Sequence, residues 1–432
     1  MDRHRRQADP KSLLIAAAVA TLAYGGAIAT STRAAATVDE AAVTRRLTAN
    51  ATAPRADVAA AHEVAKTRKL ALAPLDEAEA AVWAQVRAGA FPGAALAIGR
   101  EDQTVLERGI GRIGWSASAA KVDADRTVYD LASLTKVLAT TPAVMLLVED
   151  GKMDLDAPVS RYLPEFSGGA KERVTIRHLL THTSGLPAGV ALDAATPDAA
   201  WRQLLRTPLV REPGEAVVYS DVGMNVLFAA AQRAAGEPLF RLLDRRVYGP
   251  LKMRATTYLP GAGCQTCAPT LRDENDEPVQ GLVHDPIARA LGGVAGNAGL
   301  FSTAHDLGRF AAMLANGGEL DSVRVFREET VRMFTARQPG AGTRALGWDT
   351  PGPNGSGGFG VKASQASFGH TGFTGTSIWI DPERHTWSVL LSNRVYQPRA
   401  PNTIMALRRR VNDRVAVAAD DFDVEPRAKT VD

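Results

Sequence analysis

The sequence predicts an α+β fold in which an antiparallel β-sheet, flanked by N- and C-terminal helices, carries a mostly helical subdomain. Two apolar runs near the start of the chain, residues 94–98 and 104–108, surround a polar turn and indicate a pair of strands. Two more runs near the end, residues 377–380 and 387–392, indicate a hairpin. The intervening residues 154–345 consist mainly of helical spacing and loops. We therefore expect both ends of the chain to contribute to one sheet.

Helices are expected before the first strand and after the last one. Residues 76–87 have apolar side chains at helical spacing, and Gly89 and Pro92 then end the helix. Residues 403–415 have a second apolar stripe, which would pack on the sheet. The members of that stripe are Ile404, Leu407, Val411 and Val415.

The first 36 residues are expected to form a signal peptide or an N-terminal membrane anchor. Residues 1–11 carry four basic and two acidic side chains, and residues 12–30 are an uncharged, alanine-rich stretch. The length of this stretch is close to the ~20 residues that span a bilayer. Because basic residues precede it, the rest of the chain should lie outside the cytoplasm. The protein is thus expected to be secreted or periplasmic, or anchored to the inner membrane through residues 12–30.

Two other segments are expected to lie outside the folded domain. Residues 37–72 are alanine-rich and polar, and we interpret them as a linker. Residues 419–432 are interpreted as a disordered tail, because acidic side chains dominate them and few apolar ones are present.

Charge and motif content argue against several classes of partner. Fifty basic and 47 acidic side chains give a net charge of +3, which provides no footprint for nucleic acid. No Walker loop, Rossmann glycine fingerprint or His-Glu-x-x-His motif occurs, so we expect neither a cofactor nor a metal. His178 and His182 have i, i+4 spacing, but their loop context favours a structural role. Cys264 and Cys267 either form a local disulfide or stay reduced, and the sequence leaves both open.

The run from Asp130 to Lys136, Asp-Leu-Ala-Ser-Leu-Thr-Lys, points to nucleophilic chemistry. Aspartate followed by small residues predicts a helix start. On a helix, Ser133 and Lys136 would lie on one face, one turn apart. A serine hydroxyl becomes an effective nucleophile when a neighbouring base takes its proton. A helix N-terminus also favours negative charge that develops nearby.

Two further polar segments follow this run. Tyr219-Ser220-Asp221 comes after a Pro-Gly turn and precedes a helix that ends near Ala235. The second segment, residues 368–375, contains three glycines, which allow the backbone to approach a ligand closely.

The order and spacing of the three segments resemble the motifs of the serine β-lactamase and penicillin-binding protein superfamily. Within it, the chain is most similar to class C β-lactamases and their esterase and carboxypeptidase relatives. The resemblance implies a β-lactamase-related serine hydrolase domain over residues 73–418. It implies that Ser133 is the nucleophile, and that Lys136 and Tyr219 share the general-base work. It also implies that the backbone N–H groups of Ser133 and Phe373 hold the oxyanion.

The same resemblance assigns substrate binding to Asp221, His370, Thr371, Gly372 and Phe373. His370 stands where β-lactamases usually carry lysine, whose permanent charge helps to hold a substrate carboxylate. Asp221 stands where asparagine is usual. We expect its carboxylate to pair with a nearby lysine amine and to raise the pKa of that amine. Both departures argue against efficient β-lactam hydrolysis.

The expected function is that of an envelope serine hydrolase. It would form an acyl-enzyme at Ser133 and hydrolyse an ester or a D-amino-acid-containing peptide, so the substrate is a small molecule or of peptidoglycan type. A β-lactamase and a catalytically silent penicillin-binding-like protein are the alternatives. No cofactor and no nucleic acid partner are expected, and the sequence indicates no oligomeric state.

Overall fold

The computed structural model describes residues 70–353 and 357–424, with side chains described as far as residue 422. The predicted leader, residues 1–36, and nearly all of the predicted linker lie outside the described residues.

Strands from both ends of the chain meet in one sheet, as the sequence predicts. In chain order the strands are β1 (Gly93–Arg100), β2 (Gln103–Gly111), β3 (Tyr129–Asp130), β4 (Thr257–Tyr258), β5 (Leu271–Arg272), β6 (Pro278–Val279), β7 (Leu300–Ser302), β8 (Glu319–Leu320), β9 (Val323–Arg324), β10 (Phe368–Thr371), β11 (Ser377–Asp381) and β12 (Thr386–Ser392). Five of them form an antiparallel sheet in the spatial order β10-β11-β12-β1-β2. In this sheet Leu96 pairs with Leu390 on one side and with Arg108 on the other.

Helices occupy most of the chain between the two halves of the sheet. In chain order they are α1 (Leu72–Arg87), α2 (Thr141–Glu149), α3 (Ile176–Leu180), α4 (Pro197–Leu205), α5 (Asp221–Ala235), α6 (Leu239–Leu243), α7 (Pro286–Ala290), α8 (Ala304–Ala315), α9 (Glu328–Thr335) and α10 (Ile404–Val424). Short 3₁₀ or π-helical turns are Ala132–Leu134, Lys136–Thr140, Val159–Arg161, Gly169–Arg173 and Asp244–Tyr248.

The two faces of β1 belong to two hydrophobic cores. Leu96 and Ile98 pack with the apolar faces of α1 and α10, while Ala95 and Ala97 face the helical region. This separation follows from the alternation of side chains along a strand. The sheet is therefore buried on both faces.

Short strands also occur within the helical region, where the sequence predicted mainly helices and loops. β3, β7 and β4 form a three-stranded sheet, and β5–β6 and β8–β9 form two hairpins. Each of these strands has two or three residues, which is too short for a period of two to show in the sequence. β3 leads directly into the turn that carries Ser133.

The segment that follows Ser133 is a core helix. A 3₁₀ turn, a π-helical turn and α2 follow one another almost without interruption. In the part of the chain that the structure describes, Ala132–Glu149 is the one helical stretch long and apolar enough to cross a membrane. It is 83% buried inside the fold, which is typical of the central helix of a globular domain.

The predicted disordered tail begins too early at residue 419. Helix α10 continues to Val424. Ala419 is buried, and Asp420 forms an ion pair with Arg384, in which Nε and Oδ1 are 2.7 Å apart.

The end of the predicted linker likewise belongs to the folded domain. Leu70 is buried, and the N–H of Ala71 donates to the carbonyl of Ala418 at 2.8 Å. Helix α1 then begins at Leu72, four residues before its predicted start at Asp76. The sequence missed this turn because Pro74 interrupts the apolar spacing, although proline fits the first turn of a helix.

Cys264 and Cys267 form a disulfide, which resolves the alternative that the sequence left open. Their loop is attached to the residue that precedes β3. The N–H of Val128 donates to the carbonyl of Thr266 at 3.0 Å, and the N–H of Ala268 donates to the carbonyl of Val128 at 2.8 Å.

Candidate active site

Ser133 and Lys136 lie side by side, and Lys136 Nζ is 2.9 Å from Ser133 Oγ. The lysine side chain is completely buried, whereas the serine is partly exposed. Ala132, just before the serine, has a φ of 46°, a left-handed conformation that residues with a Cβ rarely adopt. Strain of this kind persists only where the surrounding structure enforces it. The position of Ser133 is therefore fixed by the surrounding structure.

Three oxygen atoms surround the Lys136 amine. Besides the serine hydroxyl, it donates to the carbonyl of Asn297 at 3.0 Å and lies 2.7 Å from Asp221 Oδ1. Burial lowers the pKa of Lys136, but Tyr219 and Asp221 raise it by more, so the pKa is above its ordinary value. Lys136 is therefore an ammonium ion at neutral pH. The ion pair with Asp221 is the contact that the sequence predicted.

Tyr219 lies beside this ammonium ion and between two histidines. Lys136 Nζ is 4.9 Å from the centre of its ring, and the guanidinium carbon of Arg344 is 5.3 Å from it. The rings of His182 and His370 are centred 4.6 Å and 6.0 Å away. Two cations therefore face the Tyr219 ring.

The start of helix α5 fixes both the tyrosine and the aspartate of the second segment. Ser220 is the N-cap, and its Oγ accepts from the N–H of Gly223 at 2.9 Å and donates to the carbonyl of Pro187 at 2.6 Å. Asp221 is the first helical residue, where a negative charge is favourable. The serine of this segment therefore acts as a cap, with Tyr219 and Asp221 on either side of it.

His182 supports the same segment through a hydrogen bond to its backbone. It is buried, its φ is 57°, and its Nδ1 accepts from the N–H of Ser220 at 3.1 Å. Burial holds its pKa well below the ordinary value, so the ring is neutral. His178 instead closes a capping box with Thr175 at the start of α3. Among the described residues, no group of three or more His, Cys, Asp or Glu side chains could hold a metal.

His370, on strand β10, is a buried neutral ring. Burial, followed by the charges of Lys136 and Arg344, keeps its pKa well below the ordinary value. One ring nitrogen, Nδ1, is 2.8 Å from the carbonyl oxygen of Thr371. His370 therefore provides no positive charge at neutral pH.

The turn after β10 passes very close to the segment that carries Ser133. A Cβ at Gly372 would lie 2.0 Å from Thr376 Oγ1 and 2.5 Å from the carbonyl oxygen of Leu131. Only glycine fits there. Phe373 follows with 63% of its surface exposed, and its ring lies against the ring of His284, with the ring centres 5.8 Å apart.

Two buried hydroxyls connect this turn to the segment that carries Ser133. Thr374 Oγ1 donates to the carbonyl of Asp130 at 2.7 Å, and Thr376 Oγ1 donates to the carbonyl of Leu131 at 3.0 Å. Among the described residues, the N–H groups of Ser133 and Phe373 donate to no protein acceptor. Both amides are thus available to a ligand.

Comparison with known proteins gives a consistent result. The family model described as "Beta-lactamase" matches residues 75–411. A protein of Salmonella agona (strain SL483), named "Putative D-alanyl-D-alanine carboxypeptidase", is 33% identical over 357 residues, which cover 73% of this chain and 82% of that protein. Its counterpart in Salmonella typhi has the same name, identity and coverage.

The chain belongs to the serine β-lactamase and penicillin-binding protein superfamily.

Solved structures share the β-lactamase/transpeptidase fold with this chain. EstCE1, described as a hydrolase with promiscuous acyltransferase activity, aligns with a TM-score of 0.64 and 22% identity over 79% of this chain and 98% of its own. A penicillin-binding protein homologue from Pyrococcus abyssi, described as octameric, aligns with a TM-score of 0.62 and 21% identity, over 77% and 76% of the two chains. At these identities the likeness establishes the fold alone.

In this superfamily member the three segments meet in a cleft of about 440 Å³. Six of the eight predicted site residues line it, and Lys136 and Asp221 lie behind them. The lining consists of Ser133, Tyr219, Arg344, Asp349, His370, Thr371, Gly372, Phe373, Arg394, Asn402, Ile404, Met405 and Arg408. The arginines and the residues of α10 were not among the predicted ones.

The sequence analysis also did not identify the buried residues that support the site. Asn225, a polar residue on the buried face of α5, accepts through Oδ1 from the N–H of Gly296 at 2.8 Å and donates through Nδ2 to Asn297 Oδ1 at 3.0 Å. This network positions the carbonyl that binds Lys136. Two features of the sequence could have indicated this network: Asn225 lies on an apolar helical face, and Asn297 lies within the glycine-rich run 292–299.

Asp130 has a comparable supporting role. Its buried carboxylate accepts from the N–H of Ala132 at 2.8 Å and from the N–H of His284 at 2.6 Å. Burial raises its pKa to about 6. The sequence identified Asp130 only as a helix start, whereas its side chain links the turn that carries Ser133 to the loop that carries His284.

Proposed function

We propose that this β-lactamase-family hydrolase forms an acyl-enzyme at Ser133 and hydrolyses an ester or a D-amino-acid-containing peptide. The observation that carries the proposal is the contact of 2.9 Å between Ser133 Oγ and Lys136 Nζ at the edge of a cleft. The phenol of Tyr219 and two free backbone amides belong to the same site.

In the proposed first step, the Tyr219 phenolate takes the proton of the Ser133 hydroxyl as Oγ attacks the substrate carbonyl carbon. Lys136, already protonated, stabilises the phenolate and the developing alkoxide instead of acting as the free base. The oxyanion then lies between the amides of Ser133 and Phe373. Loss of one such donor typically costs ~10²–10³ in rate.

The intermediate collapses when Tyr219 returns the proton to the leaving group, which departs as an alcohol or an amine. In the second step, Tyr219 removes a proton from water, and the resulting hydroxide attacks the acyl ester. Collapse of the second intermediate releases the acid and restores the Ser133 hydroxyl. No separate glutamate base is needed in this scheme.

The substrate class is proposed from the relatives together with the site. The Salmonella relatives have the name "Putative D-alanyl-D-alanine carboxypeptidase", which favours a peptide of the peptidoglycan type. The family model is named for β-lactamases, so β-lactam hydrolysis is the second candidate. A neutral His370 and an aspartate at position 221 argue for slow turnover there.

The nucleophile is tested by labelling with a fluorophosphonate, followed by intact mass spectrometry. We expect one adduct on the wild-type protein, none on Ser133→Ala, and an unchanged adduct on the control Ser118→Ala, which alters an exposed serine. Full labelling of Ser133→Ala would reject the assignment. A wild-type protein that forms no adduct with this probe, penicillin or D-Ala-D-Ala peptides would instead indicate a catalytically silent binding protein.

We also propose that the catalytic domain works outside the cytoplasm. The uncharged stretch 12–30 after a basic segment supports this, and so does the Cys264–Cys267 disulfide, since disulfides persist in oxidising compartments. Fusion of alkaline phosphatase after residue 432 should give an active reporter, while the same fusion lacking residues 1–36 should be inactive. Equal reporter activity in both would contradict the proposal.

A further inference from the structure

The disulfide between Cys264 and Cys267 closes a very short ring, because the two residues are only three positions apart in the sequence. The stabilisation that a disulfide provides by restricting the unfolded chain decreases as the loop it closes becomes shorter. This pair therefore contributes little to the stability of the whole fold. Its effect is expected in the contacts of the turn that it closes.

That turn is paired with Val128, the residue that directly precedes β3. The buried N–H of Val128 donates to the carbonyl of Thr266 at 3.0 Å, and the carbonyl of Val128 accepts from the N–H of Ala268 at 2.8 Å. Thr266 lies inside the ring that the disulfide closes. The orientation of its carbonyl, and with it the pairing to Val128, therefore depends on the cross-link.

The far end of the same loop, residues 264–284, returns to the site. The N–H of His284 donates to Asp130 Oδ2 at 2.6 Å, and the His284 ring lies against the ring of Phe373. Gln280 Nε2 donates to the carbonyl of the second cysteine at 2.6 Å, which connects this end of the loop to the disulfide. The loop therefore contacts both the segment that carries Ser133 and the turn after β10.

The disulfide lies just beneath the surface. Gly263 and Gln265, on either side of Cys264, are exposed. Among the described residues, no atom outside the adjacent positions lies within 4 Å of a Cβ built at Gly263, so this side of the turn is open. Cys264 keeps 6% of its surface exposed, whereas Cys267 is fully buried. The sulfur that an external thiolate reaches first is therefore that of Cys264.

We propose that Cys264–Cys267 is a site of reversible thiol–disulfide exchange with a dithiol, and that the oxidised pair is required for full acylation at Ser133. The second part rests on the proposed function. Reduction releases the Thr266 carbonyl, so the pairing with Val128 loosens and the segment that carries Ser133 is less firmly held. The protein is then poorly active in a reducing compartment and becomes fully active in an oxidising one.

The exchange balances in two steps. A thiolate of the dithiol attacks Cys264 Sγ, the bond to Cys267 Sγ breaks, and Cys267 leaves as a thiolate that takes up a proton. The second thiol of the reagent loses its proton and attacks the reagent sulfur of the mixed disulfide, which releases Cys264 as a thiolate that is protonated in turn. The pair gains two electrons and two protons, and the dithiol becomes a disulfide. Oxidation follows the same steps in reverse, with a disulfide as the oxidant.

The pairing is tested without reference to turnover. The full chain is reduced with dithiothreitol, and alkylation followed by intact mass spectrometry counts the free thiols, of which full reduction gives two. We expect faster amide hydrogen exchange in the peptide that contains Val128 after reduction, because the acceptor of its N–H is released. Exchange in helix α5 should be unchanged, which controls for global unfolding.

The effect on the site is tested by the acylation rate with p-nitrophenyl acetate, measured by stopped flow. Reduction should lower this rate by about 10- to 100-fold, since a misplacement of about 1 Å at the reacting atoms costs up to ~10²-fold. The rate should return when oxidised dithiothreitol re-forms the disulfide. The control is the double variant Cys264→Ser/Cys267→Ser, which should have the low rate with and without dithiothreitol. Because reduction is reversible, the wild-type comparison does not depend on whether this variant folds.

Three results would each overturn the proposal: a disulfide that dithiothreitol does not reduce in the folded protein, unchanged hydrogen exchange at Val128 after reduction, or an acylation rate that stays at the oxidised value. All three leave the fluorophosphonate adduct on Ser133 of the oxidised protein intact, so the proposed nucleophile would stand. Absence of that adduct would instead reject the proposed function, while hydrogen exchange would still show whether the pairing depends on the disulfide. The two proposals therefore fail separately.

Discussion

At the scale of single residues, this site differs from the β-lactamase pattern in where its charges lie. His370 is neutral because it is buried beside two cations, whereas the lysine usual at this position would be charged. Asp221 brings a negative charge to within 2.7 Å of Lys136, where an asparagine would be neutral. The first change removes a cation from the cleft, and the second keeps the proton on Lys136.

Asp221→Asn tests the second effect. Loss of the carboxylate removes a cause of the raised pKa of Lys136, so this pKa should fall. Because the proposed mechanism needs the ammonium form, the alkaline limb of kcat/KM against pH should move to lower pH. Asp198→Asn is the control, since it removes an exposed acidic residue from the first turn of α4. An alkaline limb that does not move would contradict the protonated role of Lys136.

At the scale of elements, the turn between β10 and β11 determines whether the site is complete. Two threonine hydroxyls hold it to the carbonyls of Asp130 and Leu131, and Arg408 holds its other side. These contacts fix the turn that carries the Phe373 amide relative to the turn that carries Ser133. Its position is therefore set by contacts between distant segments of the chain.

Gly372→Ala should displace this turn from the segment that carries Ser133. The new Cβ would lie 2.5 Å from the carbonyl oxygen of Leu131, so backbone has to move and the amide of Phe373 with it. We expect the acylation rate with p-nitrophenyl acetate to fall by ~10²–10³, the typical cost of one oxyanion donor. Gly263→Ala is the control, because a Cβ there has no neighbour within 4 Å. Stopped-flow acylation at the wild-type rate in Gly372→Ala would show that this amide is not used.

The elements that the sequence predicted well are those with a long apolar pattern. The strands that became β1, β2, β11 and β12 follow from apolar runs bounded by turn residues, and the end of the helix Asp221–Ala235 follows from the glycine after it. Contacts made through backbone atoms produce no recognisable pattern in the sequence. The carbonyl of Asn297 that binds Lys136 could belong to any residue type, and the cleft arginines come from segments that only the fold brings together.

At the scale of the whole molecule, the sheet formed by the chain ends must stay fixed to the helical region, because the cleft has walls from both. One polar link between them joins His305, on α8, to Glu107, on β2, with Nδ1 and Oε2 3.2 Å apart. Burial lowers the pKa of His305. The hydrogen bond and the charge of Glu107 outweigh this effect and raise the pKa to about 9. The protonated histidine therefore stabilises the folded state.

This link predicts a loss of stability in mildly alkaline solution. A pKa raised from 6.5 to about 9 on folding contributes stability that is fully present below pH 6.5 and is lost as the pH rises through about 9. Because the His305 side chain is 39% exposed, solvent screens the pair, and we expect about 1 kcal/mol or less. The Tm of the wild-type protein should therefore fall by about 2 °C more between pH 6 and pH 9.5 than that of His305→Gln. His385→Gln, at an exposed turn histidine, should follow the wild type, and parallel curves for all three proteins would show that the pair does not join the two parts of the fold.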